Sequence, residues 1–463
     1  MKLPVLVLTA AIGATSTPTW AFQTSVNTII DARNSRSLCR ICSAVDLDVV
    51  DIDEDAVRDI DAMEEWAMAC GVQKAEGFKT KSDMNPNDLD SYLDILDYED
   101  VSVWTIQDIP AGSPVLYVPK EMIFSSHQAA QEIGRLEHAE KLYGNMKASD
   151  QIPYFYLGVR ILVEYEKGEA SAWFPWLNSL PRYFSNGASM TPFCYECLPP
   201  LVASLTWKEQ SNCLSFDAAI KLVPIEILSD STKENKDLVK WAFQMAYTRS
   251  SEANDGSGDL RIVPMADLFN HGTFPNVAIG YDDQGNCYAQ TTDNVSAGNA
   301  LTVSYADPTN PSYLFARYGF IDKTSPATFC KIVIDDPSPQ LVDMGYDQSR
   351  MLFYKDTGEV SQEVWDVLLY QVLASSDENQ AHAFYQAHMN GDYDTKQAFH
   401  QQHYPETLAA LQNHLDSFLE ELENLSQKAK GKNLFVHPRL PLILQHNEFV
   451  KKTFLAVREN YFR

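Results

Sequence analysis

The segment Arg261–Phe320, RIVPMADLFNHGTFPNVAIGYDDQGNCYAQTTDNVSAGNALTVSYADPTNPSYLFARYGF, decides how this chain is read. Val277 to Tyr281 and Cys287 to Thr292, separated by Asp282, Asp283, Gln284, Gly285 and Asn286, predict two strands joined by a polar turn. Ala297, Gly298 and Asn299 are turn chemistry ahead of the β-prone run Leu301, Thr302, Val303. Taken singly, each piece is ordinary: a hairpin, a turn, and at Asn270 and His271 a pair that elsewhere would be a cap. Their order and spacing within one segment carry the information.

Upstream, Asp108 to Gly112 predict a turn and Pro114 to Val118 a strand, within Gln107–Ser126, QDIPAGSPVLYVPKEMIFSS. Helical periodicity dominates the intervening stretch: Tyr154 to Tyr165 predicts an amphipathic helix, and Leu238 to Thr248 another that ends in Thr248-Arg249-Ser250. Downstream of Pro405, the residues Leu408, Leu411, Leu415, Phe418, Leu422 and Leu425 alternate steps of three and four and fall on one stripe. So short a stripe, flanked by compact sequence, favours packing within the chain over a coiled-coil seam.

In this order, NH with xxxPN, the hairpin, the AGxxLxxxY turn and strand, and the final YGF resemble the C-terminal half of a SET-domain protein methyltransferase. Gln107–Ser126 resembles the first strands of the same core. Ser171–Arg182, SAWFPWLNSLPR, with Trp173, Pro175, Leu177, Leu180 and Pro181 in place, is similar to an element of the split SET class related to Rubisco large-subunit methyltransferase. Trp173 and Trp176 read as core anchors. The resemblance implies an α+β fold: a β-rich SET fold with a pseudoknot, a helical insertion and an all-helical C-terminal domain. It also implies boundaries: an acidic N-terminal arm over 46–90, a SET domain over 91–326 with its insertion at about 125–255, and a substrate-binding helical domain over 327–463.

The implied activity is S-adenosyl-L-methionine-dependent N-methylation of a protein, with lysine of a non-histone protein as target and histidine as a lesser variant. A lysine must arrive neutral, which at pH 7.5 costs about 4 kcal/mol from a reference pKa near 10.4. An apolar, aromatic channel lowers that cost by disfavouring the ammonium. Within the resemblance, Tyr305 at the end of LTVSY supplies the catalytic hydroxyl, and Tyr318 and Phe320 wall the channel. Asn270, His271 and Tyr305 contact the cofactor, Arg249 pairs with its carboxylate, and Asp267 orders the turn or lines the substrate channel.

One departure matters. The family's Gly-x-Gly cofactor element aligns with Tyr98 to Val103, where no glycine occurs, so the wall at Asp100, Val101 and Ser102 carries side chains where backbone would approach the ligand. A degenerate SET domain that binds a peptide or protein without turnover is therefore the alternative reading.

Composition sets the remaining bounds. A formal net charge of -27 disfavours nucleic acid as a partner, since phosphate binding depends on Lys and Arg, and fits solubility or attraction of a basic protein segment. Eight cysteines in 463 residues make no disulfide scaffold, and neither Cys39-x-x-Cys42 nor Cys194-x-x-Cys197 has a second pair at metal-ligand spacing, so no metal is expected. Met1 to Ala21 reads as a signal peptide whose apolar run is too short to span a bilayer, and no stable membrane anchor is expected. Residues 22–45, rich in hydroxyls and Arg after the Ala21-Phe22 junction, resemble a transit peptide for a complex plastid. The alternative is the secretory pathway; oligomeric state stays open.

Overall fold

The computed structural model describes residues 49–82, 101–253, 256–329, 337–346 and 350–462. The signal and transit segments, and Asp100 of the expected cofactor wall, lie outside the described residues.

Helix α1 (Ile60–Ala69) starts at Asp59, whose side chain accepts from the Ala62 N–H at 2.9 Å. Strands β1 (Gln73–Lys74) and β2 (Phe78–Ser82) follow, then β3 (Val101–Thr105) and β4 (Pro114–Val118). β1 pairs antiparallel with β4, and β2 pairs with β3 from Phe78↔Thr105 to Ser82↔Val101. The stretch expected to be an acidic arm before residue 91 thus contributes two strands to the sheets. Gln73–Ser82 holds one acid, and strand pairing supplied by distant residues decides its structure.

The insertion opens after β5 (Phe124–Ser125) with α2 (Ser126–Ile133), α3 (Glu137–Asn145), α4 (Ile152–Glu166) and α5 (Phe174–Ser179), and continues through α6 (Pro200–Ile220) and α7 (Lys236–Arg249). The tryptophan element anchors it. Trp176 is fully buried, Trp173 meets Phe124 edge-on with centroids 4.2 Å apart, and Arg182 closes the turn by donating to the Asn178 carbonyl and, at 2.5 Å, to that of Asp51. One continuous apolar core runs from the strands into these helices.

The chain returns through β6 (Ser251–Glu252) and β7 (Leu260–Ile262), which form a sheet in the order β5-β7-β6. Next come β8 (Asn270–His271), β9 (Val277–Tyr281), β10 (Cys287–Thr291) and β11 (Thr302–Val303). The expected hairpin forms, with Cys287 opposite Tyr281, and completes a sheet in the order β1-β4-β10-β9. β8 and β11 pair in parallel, Asn270 with Thr302 and His271 with Val303, although the hairpin lies between them in sequence.

After α8 (Pro311–Tyr318) the C-terminal module begins with two short strands, β12 (Ala327–Phe329) and β13 (Leu352–Tyr354), paired antiparallel. The module is therefore helical but not wholly so. Its longer helices are α9 (Gln362–Ser376), α10 (Glu378–Met389), α11 (Tyr393–Gln402), α12 (Tyr404–Ala429) and α13 (Leu440–Tyr461). The expected stripe on α12 buries Leu411, Leu415, Phe418 and Leu422 against Phe454 and Val457 of α13 within one core. A smaller apolar cluster joins Cys194, Cys197 and Val202 of the insertion to Leu440 and Ile443 of α13. No helix among the described residues is long and apolar enough to cross a membrane, and no group of three or more metal-ligating side chains occurs among them.

Candidate active site

The parallel β8–β11 pair is held by more than its own ladder. Asn276 reaches across it, donating through Nδ2 to the Ala300 carbonyl and accepting the Thr302 N–H at Oδ1, both at 2.9 Å. Gly272 donates to the Val303 carbonyl at 3.0 Å, and a Cβ there would meet Thr302 Oγ1 at 2.5 Å. The approach of the two segments thus requires glycine. Neither the amide bridge of Asn276 nor the need at Gly272 is visible in sequence, because both partners lie about thirty residues away.

Four expected residues meet at this crossing. The Tyr305 N–H donates to His271 Nδ1 at 3.1 Å, and the Tyr305 hydroxyl donates to the Phe269 carbonyl at 2.7 Å. Ring centroids lie 4.9 Å apart for Tyr305 and Tyr318, 5.8 Å for His271 and Phe320, and 6.3 Å for Tyr305 and Phe320. The spacings are those of offset and edge-on aromatic contacts. Asn270 is half-buried beside them on β8.

Tyr318 and Phe320 are placed by the glycine between them. Gly319 caps α8 in the left-handed conformation, with φ of 84°, and a Cβ would meet the backbone of Ser185 and Asn186 at 2.6 Å. The insertion therefore sits directly on the YGF turn. Behind it, Arg317 donates to the Tyr154 hydroxyl at 2.9 Å, the Tyr313 hydroxyl at 3.1 Å and the Tyr247 carbonyl at 3.0 Å, and its guanidinium stacks 4.1 Å from the Tyr247 ring centroid. Burial pushes the Tyr318 hydroxyl up to about 12, with the Arg317 charge pulling the other way. Sequence reading missed Arg317, whose partners come from three separate helices.

Arg249 ends α7 and donates through Nη1 to the Asp267 carbonyl at 2.7 Å. Asp267 follows Met265, a non-glycine residue held at φ of 70°, a strained conformation of the kind that clusters at functional sites. The Asp267 side chain is 2% exposed, so it orders the interior of the turn and does not line an open channel. Burial raises its carboxyl, partly opposed by the Arg249 charge 3.9 Å away. On β3, the side chains of Val101, Ser102 and Val103 are all buried, and Ser102 Oγ accepts the Trp104 indole N–H at 2.5 Å. β3 adjoins the crossing because Leu301 donates to the Val103 carbonyl at 2.8 Å.

Asp322 was also missed. His271 Nε2 lies 3.5 Å from its Oδ2, with both side chains buried. Thr273 Oγ1 donates to Oδ2 at 2.6 Å, and Thr324 donates to Oδ1 through its N–H at 3.0 Å and its hydroxyl at 2.6 Å. Burial alone would push the Asp322 carboxyl up; Thr273 and Thr324 as donors, with His271 close by, hold it far below the ordinary carboxylate range.

No family model matches the chain. It is similar to SET domain-containing protein 4 of Artemia parthenogenetica, 26% identical over 186 residues that make up 38% of this chain and 46% of that protein. The match thus spans about half the length of the curated relative. In three dimensions it is similar to Rubisco LSMT bound to AdoMet, with a TM-score of 0.59 and 17% identity over 87% of this chain and 91% of that one. The SET domain of LSMT bound to lysine and AdoHcy aligns with a TM-score of 0.57, 16% identity and the same coverage, and Rubisco LSMT bound to sinefungin and monomethyllysine with 0.56, 17% identity and again the same coverage. This chain has the SET-domain fold, split by a helical insertion and followed by a helical module as in Rubisco LSMT.

Proposed function

We propose that the chain is an S-adenosyl-L-methionine-dependent protein-lysine N-methyltransferase acting on a non-histone protein of the plastid. The observation that carries this reading is the Tyr305 hydroxyl, bonded to the Phe269 carbonyl at 2.7 Å and framed by His271, Tyr318 and Phe320. The fold shared with LSMT structures bound to AdoMet, lysine and AdoHcy supports it.

The residues present suit such a cofactor. Arg249 offers a guanidinium fork, of which Nη1 is engaged by the Asp267 carbonyl, and a fork has further donors for a carboxylate. Asn270 offers an amide, and the β8–β11 crossing offers a fixed backbone. The cofactor supplies an electrophilic methyl on a sulfonium, so transfer to nitrogen is an in-line displacement that depends on positioning and charge environment. The aromatic walls disfavour the ammonium form of an entering lysine. Tyr305 and the Phe269 carbonyl then aim the nitrogen lone pair, and Tyr318 and Phe320 exclude water.

A second reading is a SET domain that binds a peptide without turnover, favoured by the buried, glycine-free run Val101, Ser102 and Val103. Calorimetric titration separates the two. The methyltransferase should bind S-adenosylmethionine in the micromolar range, about -8 kcal/mol, and move labelled methyl groups into proteins of a plastid extract. Absence of both heat and label would leave the binding module. A fusion of residues 1–45 to a fluorescent protein tests plastid delivery separately, with secretion as the contrary result.

A further inference from the structure

One hydrogen bond in the site fixes where a proton must be. Because the Tyr305 N–H donates to His271 Nδ1 at 3.1 Å, Nδ1 carries no proton, and the neutral ring keeps it on Nε2. Nε2 is buried and has no hydrogen-bond partner; the Asp322 carboxylate stands 3.5 Å from it. At that distance in a low-dielectric interior, a carboxylate attracts an N–H and repels a lone pair. Thr273 and Thr324 fix the carboxylate's orientation.

We propose that Asp322 is a positioning residue, which holds the His271 proton on Nε2 so that Nδ1 can accept the Tyr305 N–H and set the Tyr305 hydroxyl in the aromatic cluster. Its consequence for methyl transfer rests on the proposed function; the tautomer does not. Asp322 reaches no reacting atom. It acts through His271 on the backbone of Tyr305, much as a carboxylate sets the tautomer of a histidine elsewhere in catalysis.

The geometry makes Asp322→Asn more informative than its size suggests. The Thr324 backbone N–H can only donate, and it donates to Oδ1 at 3.0 Å, so the amide oxygen takes that place. The amide NH2 then occupies the Oδ2 position, facing His271 Nε2 and Thr273, whose hydroxyl can turn to accept. An N–H facing Nε2 demands a lone pair there, which moves the ring proton to Nδ1, against the Tyr305 N–H. Asp322→Ala removes more contacts but imposes no wrong tautomer.

The test uses the full chain labelled with 15N-histidine, with the His271 resonances identified by their loss in His271→Gln. The parent should show the Nε2–H tautomer, Asp322→Ala a mixture of the two tautomers, and Asp322→Asn the Nδ1–H tautomer, each checked for folding by thermal denaturation. In single-turnover methyl transfer, Asp322→Asn should be at least tenfold slower than the parent and slower than Asp322→Ala, the reverse of the order that packing alone gives. Retention of the proton wholly on Nε2 in Asp322→Asn or in Asp322→Ala, or a faster rate for Asn than for Ala, overturns the proposal. A parent that transfers no methyl group would remove the proposed function, and the resonances alone would then decide whether Asp322 sets the tautomer.

Discussion

Two buried aspartates, one in the helical module and one beside the candidate site, are treated in opposite ways. Asp366 on α9 is 3% exposed; it accepts from Gln362 at 3.0 Å, from His400 at 2.7 Å, and from Tyr346 and Lys396. Asp267 is 2% exposed, its Oδ1 has no hydrogen-bond partner, and Arg249 turns its Nη1 to the backbone carbonyl. The carboxyls move accordingly. Burial would raise both, but the His400, Lys396, Tyr346 and Gln362 donors bring Asp366 down to about 2, whereas Asp267 stays raised. A satisfied network ties α9 to α11 as structure. The under-satisfied carboxyl lies in the turn that leads into β8, where a local rule is broken as functional sites tend to break them.

The comparison is tested most severely at Asp366. Asp366→Ala leaves Lys396, 15% exposed, without its anion, and should cost about 3 to 5 kcal/mol, read as a lowered denaturant midpoint for the module. Calorimetric S-adenosylmethionine affinity should hold. The site responds in rate instead: Tyr305→Phe should leave the unfolding midpoint in place and cost about 2 to 4 kcal/mol in the transition state, roughly thirty to a thousand-fold in labelled methyl transfer. An equal loss of stability in both variants would erase the distinction between the regions.

The pH dependence sharpens it. The depressed Asp366 carboxyl contributes stability that is complete above its unfolded value near 4 and is lost as pH falls through about 2, worth about 2 kcal/mol; Asp366→Asn should flatten that limb of an acid titration of stability. Asp267, being raised, behaves with the opposite sign. Its favourable contribution is complete below the unfolded value and is lost as pH rises through its folded value. A smaller effect, about 1.4 kcal/mol, is expected for Asn270→Ala, a tenfold weaker titration with S-adenosylmethionine. Smallest of all, Asp267→Asn should change thermal stability at neutral pH by under about 1 kcal/mol, and any gain should grow toward higher pH.

What sequence disclosed was local. The two strands of the hairpin and the turn between them follow from residues 277–292, the α12 stripe from a period of three and four, and the positions of Tyr305, Tyr318 and Phe320 from one continuous segment. What it hid was supplied from a distance. Arg317 has, besides Tyr313 one turn earlier on its own helix, partners at Tyr154 and Tyr247, and no pattern around residue 317 announces those two. β12 and β13 are three residues each, too short for alternation to register. Asp322 looked like one acid among many in a chain with net charge -27, and only folding sets it against His271. Asp267 was legible as near the site, but its burial was not, nor the positive φ at Met265 two residues before it, for which methionine gives no signal.

The pairing of β3 has a consequence during synthesis. One edge of β3 is covered early, by β2; on the other, the Val103 carbonyl and Thr105 N–H wait for Leu301 and Asn299, roughly two hundred residues later. At about 5 to 20 residues per second, that edge stands open on the ribosome for on the order of 10 to 40 s. The intervening helices can form in that interval from their own local contacts, with the apolar strand Val101–Thr105 exposed beside them. Nascent chains stalled before residue 299 should therefore be the form most prone to edge-to-edge aggregation and most dependent on chaperones.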